Sequence, residues 1–239
     1  MQRGEPHAGI PPIAMPGIHE RFVPFFLGLL GDRPPGAVDV LDAGAGHGAL
    51  AARLHGLGFR VRACDFAPER FRAHDVEFQQ ADLTEHLPYQ DASFDFVLAV
   101  EVVEHVPDHA TFFRECARVL RPGGRLVLST PNIVSLKSRL RFALTGFFYS
   151  FKPLSGTDDG LEHVASLTPD QLRDRGRRAG LTLDSVACDK YQRTSLALVW
   201  LAPLLRLAGR LAHIGFAGHN TRDLLLGRIL FVVFRKPGG

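Results

Sequence analysis

Val40-Leu41-Asp42-Ala43-Gly44-Ala45-Gly46-His47-Gly48 reads as the end of a strand, an acid, and a three-glycine turn that opens a helix at Ala49. Glycine lacks a Cβ and lets backbone come close to a ligand, while the first helical turn offers free N–H groups and the positive end of a dipole. Such a turn suits a phosphate or a carboxylate equally, so by itself it names neither. Read as Gly44-x-Gly46-x-x-Ala49, it also meets the relaxed dinucleotide fingerprint, with Asp65 about 20 residues on, where a ribose-binding acid is expected.

Outward from the turn, apolar strand-like runs alternate with helical patterns. Residues 37–41 open the sheet, a helix covers 49–55, strands follow at 59–64, 76–80 and 94–100, and a short helix is expected near Glu69. Asp108 is placed to cap a helix through Phe112, Phe113, Ala117 and Leu120, which stops at Pro122-Gly123-Gly124 and hands over to a strand at 125–130. Alternation of this kind specifies a parallel sheet. Upstream, residues 17–30 carry apolar side chains at helical spacing, with Pro24 expected to kink or split the helix. Downstream, Thr168-Pro169-Asp170-Gln171 is a capping box with proline in the first turn. Its helix runs to Ala179, and strands at 181–188 and 228–235 close the chain.

The 239 residues, 46% hydrophobic and 22% charged, suit one globular domain with a sizeable core. Residues 1–16, with Glu5 and several prolines, lack the continuous apolar run of a signal peptide and are expected to be a flexible leader. Residues 17–239 form the single domain, with substrate-side insertions at 131–167 and 193–226. The 28 Lys and Arg, 24 of them Arg, face 25 Asp and Glu and are scattered along the chain, so no nucleic-acid partner is expected. Cys64, Cys116 and Cys188 make neither a disulfide framework nor a zinc set, and a reducing, cytoplasmic location is the default.

An acid follows each of the next three strands: Asp65, Asp82 and Glu101. Open α/β sheets bind their ligands at that edge. The stretches VLDAGAGHG (40–48), CDFAPE (64–69), ADLTEHLPY (81–89), FDFVLAVEVVEH (94–105) and LRPGGRLVLSTPN (120–132) occur in the order found in class I S-adenosylmethionine-dependent methyltransferases, and over residues 37–135 the chain resembles that family. The resemblance implies a doubly wound, Rossmann-like α/β fold whose seven-strand sheet has helices on both faces and an antiparallel last strand, with S-adenosyl-L-methionine as cofactor. It further implies that Gly44, Gly46 and Gly48 line the methionine end, that Asp42 helps hold the ammonium, and that Asp65 takes the ribose hydroxyls. Phe66 would stack near the adenine, Asp82 with Leu83 would read its amino edge, and Glu101 is counted among the cofactor-binding residues. A carboxylate accepts both donors of a diol, and an exocyclic amine needs an acceptor. Taken singly, Asp65 and Asp82 read as turn caps.

Glu101, Glu104 and His105 stand at i, i+3 and i+4, so one helical turn would gather them beside the place where the activated methyl should sit. The same Glu-x-x-Glu-His pattern resembles that of ubiquinone-biosynthesis O-methyltransferases and small-RNA 3′-end 2′-O-methyltransferases, which implies a divalent-metal site with His163 as a further ligand. Two carboxylates and imidazole would suit Mg²⁺ or Mn²⁺. The other reading has no metal, and His105 or His163 takes the acceptor's proton as neutral imidazole. These two histidines are the catalytic candidates.

Two segments bear on the acceptor. A basic helix expected over 134–144 carries Lys137, Arg139 and Arg141, read as a solvated face with contact to an anionic substrate as the other reading, and ends in Phe147, Phe148, Tyr149 and Phe151 near the site mouth. Residues 195–212 are strongly apolar, but Pro203, Arg206 and Arg210 interrupt them well short of the ~20 apolar residues a membrane span needs. Core packing is the expectation there; the other readings are a wall of an apolar acceptor pocket and a peripheral membrane contact with the arginines at the headgroups. Methyl transfer to an oxygen of a small or lipid-like acceptor is the expected function. An NAD-dependent oxidoreductase built on the same glycine turn, and a non-catalytic cofactor-binding partner protein, are the rival readings.

Overall fold

Phe94–Val100 and Ile229–Arg235 are apolar nearly end to end, as strands covered on both faces must be. In the computed structural model, which describes residues 9–156, 161–211 and 220–238, they are the fourth and seventh strands of one sheet. The strands are β1 (Asp39–Ala43), β2 (Arg60–Asp65), β3 (Glu77–Gln80), β4 (Phe94–Val100), β5 (Leu120–Pro131), β6 (Thr182–Cys188) and β7 (Ile229–Arg235), in the order β3-β2-β1-β4-β5-β7-β6. The first five run parallel, and β7 is antiparallel to both β5 and β6. That is the sheet the resemblance implies.

Helices cover both faces. On one, α1 (Ile18–Leu27) and α2 (Ala49–Gly56) bury Phe22, Phe26 and Leu54 against Phe96 and Phe231. On the other, α3 (His109–Val119) and α5 (Pro169–Arg178) bury Phe112, Phe113 and Leu172 against Leu126 and Phe234. Asp108 caps α3 by accepting from Ala110 and Thr111 N–H at 3.0 and 3.1 Å, and the Thr168–Gln171 capping box opens α5. Gly176 of α5 lets the helix lie against Phe234: a Cβ there would stand 2.4 Å from that ring. Gly176→Ala is therefore expected to destabilise the fold by about 1–2 kcal/mol in urea unfolding, since a contact this close puts overpacking at the upper end of its usual range, roughly 2–3 kcal/mol, against a helix-propensity gain of about 1 kcal/mol. An unchanged midpoint would refute this contact.

Several expectations need correction. Pro24 does not split α1, which runs through it because Phe22, Val23 and Phe26 are pressed into the core. Pro35–Ala37 form a 3₁₀ turn, so β1 begins at Asp39, and α3 ends at Val119, where Leu120 turns extended ahead of Pro122. The expected flexible leader is packed from Ile10 on: Ile10 is buried, and residues 12–15 line the cavity at the ligand edge of the sheet. Residues 1–8 lie outside the described residues.

The ends of β1–β5, the end of β6 and the start of β7 share that edge. The insertions rise from it as α4 (Leu136–Thr145), α6 (Arg193–Ala197), α7 (Ala202–Leu211) and α8 (Arg222–Leu226), which meet around Leu136, Ala202, Leu225 and Leu226.

Candidate active site

The glycine turn is built as its sequence demands. Gly44, Gly46 and Gly48 all have left-handed backbone, with φ of 79°, 54° and 82°. At Gly44 a Cβ would stand 2.6 Å from Val102 Cγ2. Gly48 does not reach the pocket wall. It is the N-cap of α2, where a Cβ would strike Phe71 and Ala73, so its smallness serves helix packing rather than the ligand.

The amides of the turn's first three residues, 44–46, are spent within the protein. Gly44 and Ala45 N–H donate to the Cys64 carbonyl at 2.9 and 3.0 Å, Gly46 N–H donates to Asp65 Oδ2 at 2.8 Å, and Ala67 N–H donates to Asp65 Oδ1 at 3.0 Å. Cys64 is fully buried beneath this network, as packing requires. Asp65 thus fixes the turn, and each of its oxygens keeps a lone pair for a ligand donor.

Around the turn lies a cavity of about 640 Å³ whose lining includes Asp42, Gly44, Gly46, Asp65, Phe66, Asp82, Leu83, Glu101, His105 and His163. Four carboxylates face it, and Arg70 is the single Arg or Lys among its lining residues. Asp42 is buried, and burial, reinforced by the negative Asp65 nearby, pushes its carboxyl up to about 7. Asp82 is exposed and one of its oxygens caps Thr84, accepting from its N–H at 2.8 Å and its hydroxyl at 2.7 Å. Phe66 is 46% exposed, with its ring open to the cavity beside the Arg70 guanidinium.

The leader supplies a wall that the sequence did not announce. The Pro11 carbonyl is 2.9 Å from His47 Nδ1, Ile13 lies against Gly46, and Met15 N–H donates to the Glu101 carboxylate. His19 of α1 also lines the cavity, and burial lowers its imidazole to about 4, so it is neutral. A proline-rich stretch has no periodicity to betray such contacts.

Glu101, Glu104 and His105 are not on a helix. Glu101 adopts left-handed backbone with φ 55°, its N–H held by the Ser129 hydroxyl at 2.9 Å, and Val102 to Val106 run as turns ahead of Pro107. Glu101 therefore turns to Met15, and the cluster that remains is Glu104, His105 and His163, whose ligand atoms lie within 4.8 Å of one another. The Glu104 carbonyl accepts from Val164 and Ala165 N–H at 2.9 and 3.0 Å, which brings His163 to within 4.8 Å, ring to ring, of His105. Burial, then Glu101, raises the Glu104 carboxyl to about 8; burial, then His105, lowers His163 to about 4. Glu104 is fully buried and neither oxygen makes a hydrogen bond of ordinary geometry, the Thr130 hydroxyl giving only weak help. Such an unsatisfied carboxyl beside two imidazoles is a donor set that fits a divalent cation, which would displace the carboxyl proton on binding.

Residues 41–128 match the family model described as a methyltransferase domain. Over 168 residues, 66% of this chain and 68% of the other, the sequence is 34% identical to a ubiquinone biosynthesis O-methyltransferase of Xanthomonas axonopodis pv. citri. Over 104 residues, 41% of this chain and 38% of the other, it is 46% identical to a protein of Mycobacterium tuberculosis named as a probable S-adenosylmethionine-dependent methyltransferase. A solved SAM-dependent methyltransferase from Methanosarcina mazei is similar in fold, with a TM-score of 0.58 at 19% identity over 90% of this chain and 98% of that one.

Proposed function

The chain belongs to the class I S-adenosylmethionine-dependent methyltransferases, and from that premise we propose that its pocket directs the cofactor's methyl to an oxygen of a small or lipid-like acceptor. The observation that carries the cofactor reading is electrostatic: the amides of Gly44, Ala45, Gly46 and Gly48 are already bonded, and the cavity wall is acidic. A pyrophosphate would meet four carboxylates and find the Gly46 N–H taken, which disfavours the dinucleotide reading. A cation carrying an ammonium and a sulfonium meets complementary charge.

When bound, S-adenosylmethionine supplies a methyl already activated on sulfur. The protein's share is then alignment and exclusion of water. We assign Asp42 to the ammonium, Asp65 to the ribose hydroxyls, Phe66 and Leu83 to the faces of the adenine and Asp82 to its amino edge, with Gly44, Gly46 and Glu101 completing the wall. His105 and His163 border the acceptor side, where a neutral imidazole takes the hydroxyl proton. If a divalent cation binds, Glu104, His105 and His163 hold it, and it would lower the acceptor hydroxyl's pKa. Two imidazoles and one carboxylate favour Mn²⁺ or Zn²⁺ over the Mg²⁺ that two carboxylates would have suited. The oxygen acceptor is supported by this cluster and by the name of the Xanthomonas relative.

Calorimetry with S-adenosylhomocysteine and, separately, NAD tests the reading, followed by labelled-methyl transfer to phenols, catechols and long-chain quinols. An ammonium beside Asp42 favours its ionised form, so binding releases a proton. Affinity for S-adenosylhomocysteine is expected to be about tenfold weaker at pH 6 than at pH 8, since a carboxyl near 7 is mostly protonated at the lower pH. Asp42→Asn should flatten that dependence. Tight NAD binding without S-adenosylhomocysteine binding would overturn the assignment, and cofactor binding without turnover on any acceptor would favour a non-catalytic role.

A further inference from the structure

We propose that the two insertions form a docking surface for an anionic lipid bilayer. Helix α4 is turned inside out relative to a water-facing helix. Its cations are drawn inward: Lys137 sits 4.0 Å over the Tyr149 ring, Arg139 donates to the Val134 carbonyl at 2.7 Å, and Arg141 to the Phe151 carbonyl at 3.1 Å. The expected solvated basic face is therefore not there; Leu140 and Leu144 share one exposed side of the helix, Leu144 at 75% exposure, while Phe142, on the other side, stacks on Phe148 with ring centroids 4.4 Å apart. Segment 195–212, expected to be core, departs in the same way over its described residues, 195–211. On α7, Leu204, Leu207 and Leu211 are exposed at i, i+3 and i+7, opposite the buried Ala202 and Gly209, with Arg206 and Arg210 on the flank. Trp200, just before α7, is 65% exposed.

Ten of the 17 exposed large apolar side chains among the described residues fall between Leu140 and Phe147 or between Leu196 and Leu211. Exposed apolar surface on this scale marks an interaction site. Charge says with what. The insertions, 131–167 and 193–226, hold eight Lys and Arg against four Asp and Glu, and their exposed segment 193–211 carries Arg193, Arg206 and Arg210 with no acid, while the remainder of the chain holds 20 against 21. Two copies of this face meeting about a two-fold axis would set cation against cation, and a nucleic acid would leave the leucines, phenylalanines and tryptophan unburied. A bilayer with anionic headgroups answers both the apolar stripe and the arginines beside it. No described helix is long and apolar enough to cross a membrane, so α7 would lie in the interface.

The surface rises from the same edge of the sheet as the cavity. In consequence a membrane-dissolved acceptor would reach the pocket without crossing water, a corollary that rests on the proposed function, whereas docking itself is tested with neither cofactor nor acceptor.

Trp200 is the chain's single tryptophan and reports its own environment. Its fluorescence is followed as vesicles of phosphatidylcholine, alone or with one third phosphatidylglycerol, are added to the full chain. Expected are a blue shift and quenching by brominated acyl chains on the anionic vesicles, with phosphatidylcholine binding at least about tenfold weaker. Leu204→Ser with Leu207→Ser, and separately Arg206→Glu with Arg210→Glu, should each weaken anionic-vesicle binding about tenfold or more, with affinity for S-adenosylhomocysteine unchanged as proof of folding. Equal binding to both vesicles, no shift with either, or a protein-concentration-dependent blue shift without lipid that marks a dimer would each overturn the proposal. None of these results touches the cofactor assignment, which S-adenosylhomocysteine calorimetry tests alone.

Discussion

Asp65→Ala is expected to weaken S-adenosylhomocysteine binding by about 10²–10³-fold. The carboxylate does two jobs at once. Its oxygens hold the Gly46 and Ala67 N–H groups at 2.8 and 3.0 Å, fixing the glycine turn, and its remaining lone pairs face the cavity where a ribose diol would donate. Hydrogen bonds to a charged group contribute about 1.5–3 kcal/mol each. Losing the ligand pair and loosening the turn together costs roughly 3–4 kcal/mol, and every 1.4 kcal/mol is about tenfold in affinity. Asp65→Asn should recover little, because its amide nitrogen would point a donor at one of the two backbone donors. Isothermal calorimetry on both variants, with thermal unfolding to confirm that they fold, measures this. A dissociation constant within about threefold of wild type would remove Asp65 from the site and the nucleoside reading with it.

The sheet was legible because its interior strands leave no alternative: Phe94–Val100 and Ile229–Arg235 carry apolar residues on both pleats, and Glu101 follows the first of these runs directly. What escaped reading depended on contacts far along the chain or on a conformation that was assumed. Met15 meets Glu101 across 86 residues, and nothing near Pro11 and Pro12 signals it. The i, i+3, i+4 spacing of Glu101, Glu104 and His105 means one face only if the segment is helical, and the left-handed Glu101 and Pro107 prevent that. Lys137, Arg139 and Arg141 step by two, which puts the middle residue on the opposite side of an α-helix from the other two, so they never formed one solvated stripe. Gly48 follows the motif in sequence but departs from it in role, since only the neighbouring Phe71 and Ala73 show what its missing side chain makes room for.

His163→Ala is expected to lower kcat by about 10²-fold, the lower end of the range of a positioned general base because a ring lowered to about 4 is a weak proton acceptor, with S-adenosylhomocysteine affinity nearly unchanged. The side chain comes from the second half of the chain, yet the Glu104 carbonyl, by accepting from Val164 and Ala165, draws it onto His105, and Phe151 closes on its other side at 5.2 Å. For a ring so placed, and lining the cavity, two roles are proposed: action on the acceptor's proton, or on a cation shared with Glu104 and His105. The two roles separate by experiment. A base leaves no heat on titration with Mn²⁺, and added imidazole restores turnover to the alanine variant. A ligand gives wild-type heats that vanish in both His163→Ala and Glu104→Ala, and imidazole rescues nothing without metal. Anchoring alone would show as a lowered unfolding temperature with kcat within about threefold of wild type, and that outcome would strip His163 of any part in the chemistry.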